Sequence, residues 1–144
     1  MPEIVVVDQD GQVLLRYQPP SEGGGLEGAV LEGAELTGAQ LAGANLRDAD
    51  LYWARLFLAD LRGANLERAV LCGADLKQAC LENANLRNAN LGRDNLGGST
   101  ALEGANLRGT DLRWTKLDGA YYDEATLFPD GFDPDKAGMK KRVR

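Results

Sequence analysis

Residues 44–68 read ANLRD ADLYW ARLFL ADLRG ANLER. Leu46, Leu51, Leu56, Leu61 and Leu66 recur at every fifth position, each with Ala two residues before it. The spacing runs outward from this stretch, unbroken from Leu26 to Leu96. After one extra residue it resumes at Leu102, Leu107, Leu112 and Leu117, then Tyr122 and Leu127. Neither regular secondary structure keeps such a pattern on one face. On an α-helix a step of five advances about 140° past a full turn, and on a flat strand it alternates sides. A chain that turns by a fixed angle after each unit does keep every fifth side chain inward. Leu and the small residue two before it then face the axis, and the other three positions, rich in Asn, Asp, Arg, Glu and Gly, face water. Asn and Gly suit tight turns because both tolerate positive φ. Successive coils would stack at the β spacing of about 4.8 Å.

Units such as Ala44-Asn45-Leu46-Arg47-Asp48, Ala64-Asn65-Leu66-Glu67-Arg68 and Ala84-Asn85-Leu86-Arg87-Asn88 resemble the A-(D/N)-L-x-x signature of the pentapeptide-repeat family, over about residues 22–128. The resemblance implies an all-β fold: a right-handed quadrilateral parallel β-helix with four units per coil, and so about five coils. On that basis Asn45, Asn65, Asn85 and, past the extra residue, Asn106 form an outward column whose amides bond along the axis.

Outside the repeat, residues 1–20 read as an N-terminal β-hairpin cap, with EIVVV and QVLLRY flanking an Asp8-Gln9-Asp10-Gly11 turn. Gly23, Gly24 and Gly25 lead into a repeat body over residues 21–127. A solenoid needs lids on its terminal leucines. Residues 128–144 are expected to close the far end with Phe128 and Phe132 and then to run on, after Ala137, as a loose basic tail.

Charge and composition exclude several functions. The net charge is −6 and there is no His, which removes imidazole catalysis and His-ligated metal. Residues 1–35 carry Glu3, Asp8, Asp10, Glu22, Glu27, Glu32 and Glu35 against Arg16 alone, the repeat body is balanced, and Lys136, Lys140, Lys141, Arg142 and Arg144 crowd the end. That distribution lacks the basic stripe of a nucleic-acid binder. The sequence holds no membrane-length apolar run, and MPEIVVVDQDG lacks the marks of a signal peptide. Cys72 and Cys80 form no disulfide framework, so the expected setting is the cytoplasm. The glycines fall at turn spacing rather than in a phosphate-binding loop, and neither a nucleophile–base pair nor a metal cluster is visible. No cofactor is expected, and the chain reads as a non-enzymatic structural or protein-interaction module. The alternative comes from the resemblance: some family members mimic B-form DNA and bind DNA gyrase, conferring quinolone resistance. Such mimicry needs long acidic stripes, which the balanced body lacks.

Two features interrupt the regular outer skin. Asp94 occupies a slot that elsewhere holds Ala, beside Gly97, Gly98 and Ser99. It reads either as a general base or, lacking a partner group, as an acceptor for N–H groups freed by the irregularity. Thr100, Thr110 and Thr115 fill the same slot and are expected to bond nearby carbonyls. The second feature is apolar: Tyr52, Trp53, Phe57 and Leu58 point outward on adjacent sides of one coil, with Trp114 assigned to the column of Trp53 and Arg93 expected against its ring. This is the candidate interaction patch. The hairpin, a second copy or another protein partner are the readings for what covers it, beside plain exposure.

Overall fold

The structure, a computed structural model, describes residues 3–20 and 24–143. Gly23 and Arg144, assigned above to the lead-in and the tail, lie outside the described residues. Among the described residues no helix forms. Each regular unit is closed at its corner by one hydrogen bond, as where Ala49 N donates to Leu46 O at 3.0 Å. The third residue of the corner has positive φ, +58° at Asp48 and +66° at Gly63, the signature of a type II turn. Between corners the chain is extended and bonds to the next coil: Asp50 N donates to Ala29 O at 2.9 Å and Leu31 N to Asp50 O at 2.7 Å.

These bonds generate four ladders of parallel bridges, and hence a four-sided parallel solenoid. They run through Val30–Asp50–Val70–Asn90–Lys116, Glu35–Arg55–Asp75–Ala101–Tyr121, Gln40–Asp60–Cys80–Asn106–Leu127 and Asn45–Asn65–Asn85–Asp111. The axis is filled by the leucines, with Leu46, Leu66 and Leu86 fully buried beside Ala49, Ala64 and Ala74. Where Asn or Asp precedes a Leu it has a local purpose. Its carboxyl or amide oxygen accepts the N–H two residues on, as Asn65 Oδ1 does from Glu67 N at 3.1 Å and Asp75 Oδ1 from Lys77 N at 3.0 Å.

The register departs from the expected one in two places. Leu96, counted above among the inward leucines, is 83% exposed, and the step from Asp75 to Ala101 is six residues longer than the regular twenty. Leu102, not Leu96, follows Leu91 into the core. The reason lies two residues earlier. Seating Leu96 would bury the Asp94 carboxylate where no cation awaits it, which is costly. Seating Leu102 buries Thr100 instead, whose hydroxyl donates to Leu71 O at 2.8 Å. Thr110 and Thr115 bond Leu81 O and Leu86 O in the same manner. The longer insertion also moves Asn106 onto the Cys80 ladder, so the fourth member of the asparagine column is Asp111. A second slip places Leu127 outward, bridged to Asn106, while Phe128 packs on the core. There the buried Asp123 accepts bonds from Gly104 N, Ala125 N and Thr126 Oγ1, and this tight turn takes up the extra residue.

At the N-terminal end, β1 (Ile4–Val7) and β2 (Val13–Tyr17) pair antiparallel around a turn in which Asp8 Oδ1 accepts from Asp10 N and Gln12 N. Val6 is buried in the same cluster as Leu26 and Leu41, and Val7 O accepts from Gln40 N at 2.7 Å. At the other end Phe128 stacks on Phe132 at 5.1 Å. The segment after Ala137, expected to be loose, is paired: β3 (Tyr121–Tyr122) and β4 (Lys140–Lys141) run parallel, extending the Glu35 ladder by a rung. Buried Met139 and the Arg142 guanidinium, 3.5 Å above the Tyr121 ring, hold it there.

The axial packing sets a testable order of costs. Ala64→Leu adds volume where neighbouring leucines leave none and is expected to destabilise by about 1–3 kcal/mol. Glu67→Gln on the outer skin is expected to change stability by less than about 0.5 kcal/mol. Urea unfolding of the two variants beside the wild type checks the difference.

Candidate interaction surface

The corner hydrogen bond constrains which residues the surface tolerates. Its third position requires a left-handed backbone, which side chains with a Cβ resist at a cost of roughly 1–2 kcal/mol. Gly33, Gly43 and Gly63 occupy it without strain; Asp48, Arg68, Gln78, Asn83 and Asn88 take it with polar side chains, and Trp53 (φ +59°), Leu58 (φ +60°) and Trp114 (φ +59°) with large apolar ones. These three are also 49%, 42% and 70% exposed. Large apolar residues therefore stand in water at backbone positions that disfavour them.

Tyr52–Trp53 and Phe57–Leu58 form the two corners that flank one wall, the ladder Glu35–Arg55–Asp75–Ala101–Tyr121–Lys140. Their indole and phenol rings meet edge to face at 5.9 Å. Trp53 lies along its corner over the next coil. A Cβ added at Gly73 would come within 2.9 Å of its indole, and one at Gly98 within 2.8 Å. Glycine at 73 and 98 is what lets the ring lie flat. A groove beside it is lined by Ala54, Arg55, Gly73 and Asp75. On the other flank Phe57 borders a second groove with Lys77, Gln78, Glu103 and Arg142. Glu103 Oε2 lies 3.5 Å from Arg142, while its Oε1 is buried without a hydrogen-bond partner among the described residues.

Asp94 ties the inserted loop to this surface. Its Oδ1 accepts from Leu96 N at 2.9 Å and Gly98 N at 2.6 Å, and its Oδ2 accepts the Tyr52 hydroxyl proton. The Tyr52 hydrogen bond, joined by the two amides, holds the Asp94 carboxyl below the usual range, and the same bond raises the Tyr52 pKa. The carboxylate faces the wall and not the axis, and it serves as a structural acceptor.

Trp114 does not join the patch. The insertion places it after Asn88, whose N–H bonds Arg113 O, on a different corner, with the Arg113 guanidinium 5.7 Å from its ring. Arg93, expected against Trp114, packs beside Gly119 instead. The hairpin's backbone bond to the body falls on the neighbouring wall at Gln40, and Trp53 and Leu58 remain open to solvent. The sequence reading missed Arg55, Tyr121 and Arg142 as parts of this wall. The exposed Arg55 was legible between the two aromatic pairs; Tyr121 and Arg142 were not, since their place follows from the shifted register and the last rung.

The Asn wall has a different electrostatic character. Arg68 bonds Asp48 at 2.8 Å, Arg87 reaches Glu67 at 3.3 Å and Asp111 at 3.5 Å, and Arg113 lies 2.8 Å from Asp111. The Arg113 hydrogen bond, aided by Arg87, lowers the Asp111 pKa to about 2. Each carboxylate named here is matched by a guanidinium. Among the described residues no His, Cys, Asp and Glu side chains group in a way that could hold a metal ion, and no helix is long and apolar enough to cross a membrane. Cys72, buried, and Cys80, half-buried, are free thiols.

The model of the Pentapeptide repeats family matches residues 26–63, 54–93 and 99–121, leaving out the inserted loop. The chain belongs to the pentapeptide repeat family. Among solved structures, it is 40% identical to a pentapeptide repeat protein from Nostoc Pcc 7120, covering 78% of this chain and 84% of that one, with a TM-score of 0.46. A pentapeptide repeat protein from the Arabidopsis thaliana thylakoid lumen is 27% identical over 82% of this chain and 78% of its own, with a TM-score of 0.56. HetL, a pentapeptide repeat protein involved in heterocyst differentiation regulation from Nostoc sp. strain PCC 7120, is 29% identical over 78% of this chain and 57% of its own, with a TM-score of 0.51. No curated protein matches the chain.

The Asp94 anchor gives a pH-dependent expectation. A carboxyl whose pKa is lowered by folding contributes stability above its unfolded value near 4, and loses it as pH falls through the lower folded value. Hydrogen exchange at the Gly98 amide is expected to be slow at pH 5–7 and to lose protection, relative to core amides, below about pH 4. Asp94→Ala, which removes the acceptor oxygen, is expected to lose that protection at every pH, with the core amides unchanged.

Proposed function

We propose that the chain is a non-enzymatic protein-interaction module that works through the wall between the Trp53 and Phe57 corners. One observation carries the reading: two large apolar residues in left-handed backbone, Trp53 and Leu58, stand exposed on adjacent corners of one coil, whereas Trp114 shares the backbone but sits on a different corner. Retained strain of this kind clusters at functional positions. The surroundings support it, because Trp, Tyr and Arg dominate the energetics of protein interfaces and Trp53, Tyr52, Arg55, Tyr121 and Arg142 gather on this wall. The family's right-handed coil of about five turns would present the wall as a rigid surface. Two free thiols fit a reducing compartment such as the cytoplasm.

DNA mimicry, the alternative drawn from the family, needs unmatched acidic stripes. Arg68, Arg87 and Arg113 neutralise the carboxylates of the Asn wall, and Arg55 and Lys77 interrupt those of the aromatic wall. Both patterns oppose it.

Trp53→Ser and Phe57→Ser are expected to keep the fold, with melting temperatures at or near the wild-type value, and to weaken association at this wall at least about tenfold. Trp114→Ser, on another corner, is expected to leave association unchanged. Sedimentation of the purified chain and pull-down from native extract, with the three variants in parallel, read the outcome. Equal behaviour of all three would remove the wall from consideration.

A further inference from the structure

We propose that the partner this wall fits is a second copy of the chain, docked antiparallel about a two-fold axis midway between the Arg55 and Asp75 rungs. The proposal rests on the interaction-module reading and adds the partner and its register. The argument is one of charge order along the wall, which reads Glu35, Arg55, Asp75, Ala101, Tyr121, Lys140 at successive rungs.

An interface between two copies related by a two-fold must be self-complementary, so each register makes a definite set of opposing pairs. Parallel copies set Glu35 on Glu35, Arg55 on Arg55, Asp75 on Asp75 and Lys140 on Lys140, four like-charge contacts. An antiparallel axis through the Arg55 rung opposes Arg55 to itself and Glu35 to Asp75. An axis through the Asp75 rung opposes Asp75 to itself. Moving it between Asp75 and Ala101 brings Arg55 onto Tyr121, whose ring already carries the Arg142 guanidinium 3.5 Å away. An axis between Glu35 and Arg55 pairs those two charges but overlaps only two rungs, whereas an axis between Arg55 and Asp75 has none of these conflicts and overlaps four. Arg55 then faces Asp75 of the second copy and Asp75 faces its Arg55, while Glu35 lies opposite the neutral Ala101.

The flanking corners agree with the same axis. Phe57 comes opposite Lys77 of the second copy, a cation–π arrangement made twice. Trp53 comes opposite Gly73 of the second copy, over which that copy's own indole lies, so the two indoles meet across the axis. Leu58 comes opposite the aliphatic stem of Gln78. The apolar residues thus sit nearest the axis, where hot-spot residues concentrate. Arg55 is free to take the new partner, since its side chain is 72% exposed and its contact with Glu35 is 3.9 Å long.

Four rungs overlap, spanning about 14 Å at the β spacing. The contact then covers roughly 400 Å² on each copy, about half that of a standard interface, a size that belongs to weak and transient association. Sedimentation equilibrium and small-angle scattering up to about 1 mM should show a reversible dimer of the 15.5 kDa chain. Arg55→Asp alone and Asp75→Arg alone should each weaken self-association at least about tenfold. An equimolar mixture of these two variants should dimerise again, and so should the chain carrying both changes, because either restores opposite charges at both positions. Trp53→Ser, which touches neither charge, should weaken the dimer while leaving the melting curve in place, so a folding defect in the Asp75 variant would not decide the matter alone. A wild-type chain monomeric at 1 mM overturns the proposal, as does a mixture that stays monomeric while both variants are folded. If the dimer fails while Trp53→Ser still loses a captured protein that Trp114→Ser retains, the self-pairing is wrong and the interaction-module reading stands.

Discussion

The hydrogen bond from the Ala N–H to the Leu carbonyl three residues before it closes the corners of the regular repeat, and most of the molecule follows from it. It turns the chain through a side of the square in five residues and brings the following extended residues into register with the coil above. It also assigns every outward position a separate constraint. The residue before Leu needs an oxygen for the N–H two places on, which is why Asn and Asp prevail there. The third corner residue needs a left-handed backbone, which favours Gly. A surface under such rules has few free positions, so a departure from them carries more information than the same residue would on an ordinary loop. Trp53 and Leu58 are departures of this kind, and they stand on adjacent corners of the same coil.

Counting leucines made the solenoid legible because a period of five admits no helix or flat strand. It misplaced what lay beyond the insertion because counting registers spacing and not the cost of what fills the accompanying slots. Leu96 has the correct spacing; Asp94, two residues earlier, makes it the wrong leucine. A carboxylate cannot take the place of an axial Ala, whereas the Thr100 hydroxyl finds Leu71 O. From that one misjudgement the shifts of Asn106 and Trp114 follow directly, since both were placed by carrying a single-residue insertion forward. Leu127 slipped for a related reason, as the Asp123 turn takes up one residue that a plain repeat does not contain. The candidate patch was legible at Tyr52, Trp53, Phe57 and Leu58 because it precedes both irregularities.

The walls also divide by how their charges are used. On the Asn wall the guanidiniums of Arg68, Arg87 and Arg113 lie within 3.5 Å of carboxylates on their own or a neighbouring coil, so the field is cancelled close to the surface. Exposed pairs of this type add little stability individually. Their greater effect is on register, since a slip by one coil would set Arg on Arg and Glu on Glu. On the aromatic wall the matching is loose. The contacts of Arg55 with Glu35 and of Lys77 with Asp75 are 3.9 Å long, and all four side chains are exposed to solvent. Charges that are not consumed within the chain remain available across an interface.

The two ends limit where such an interface lies. A solenoid with bare ends would continue its ladders into another molecule and grow without closure. Here Val6 and the packed faces of Leu14, Leu15 and Tyr17 lie under the first coil, while Phe128 and Phe132 lie over the last. The one ladder that runs on past these caps ends in Lys140 and Lys141, charged residues of the kind that blunt an open strand edge. With axial growth opposed at both ends, association is left to the side walls. Of these, the wall between Tyr52–Trp53 and Phe57–Leu58 combines strained apolar corners, glycines that make room for an indole, and ion pairs too long to be satisfied internally.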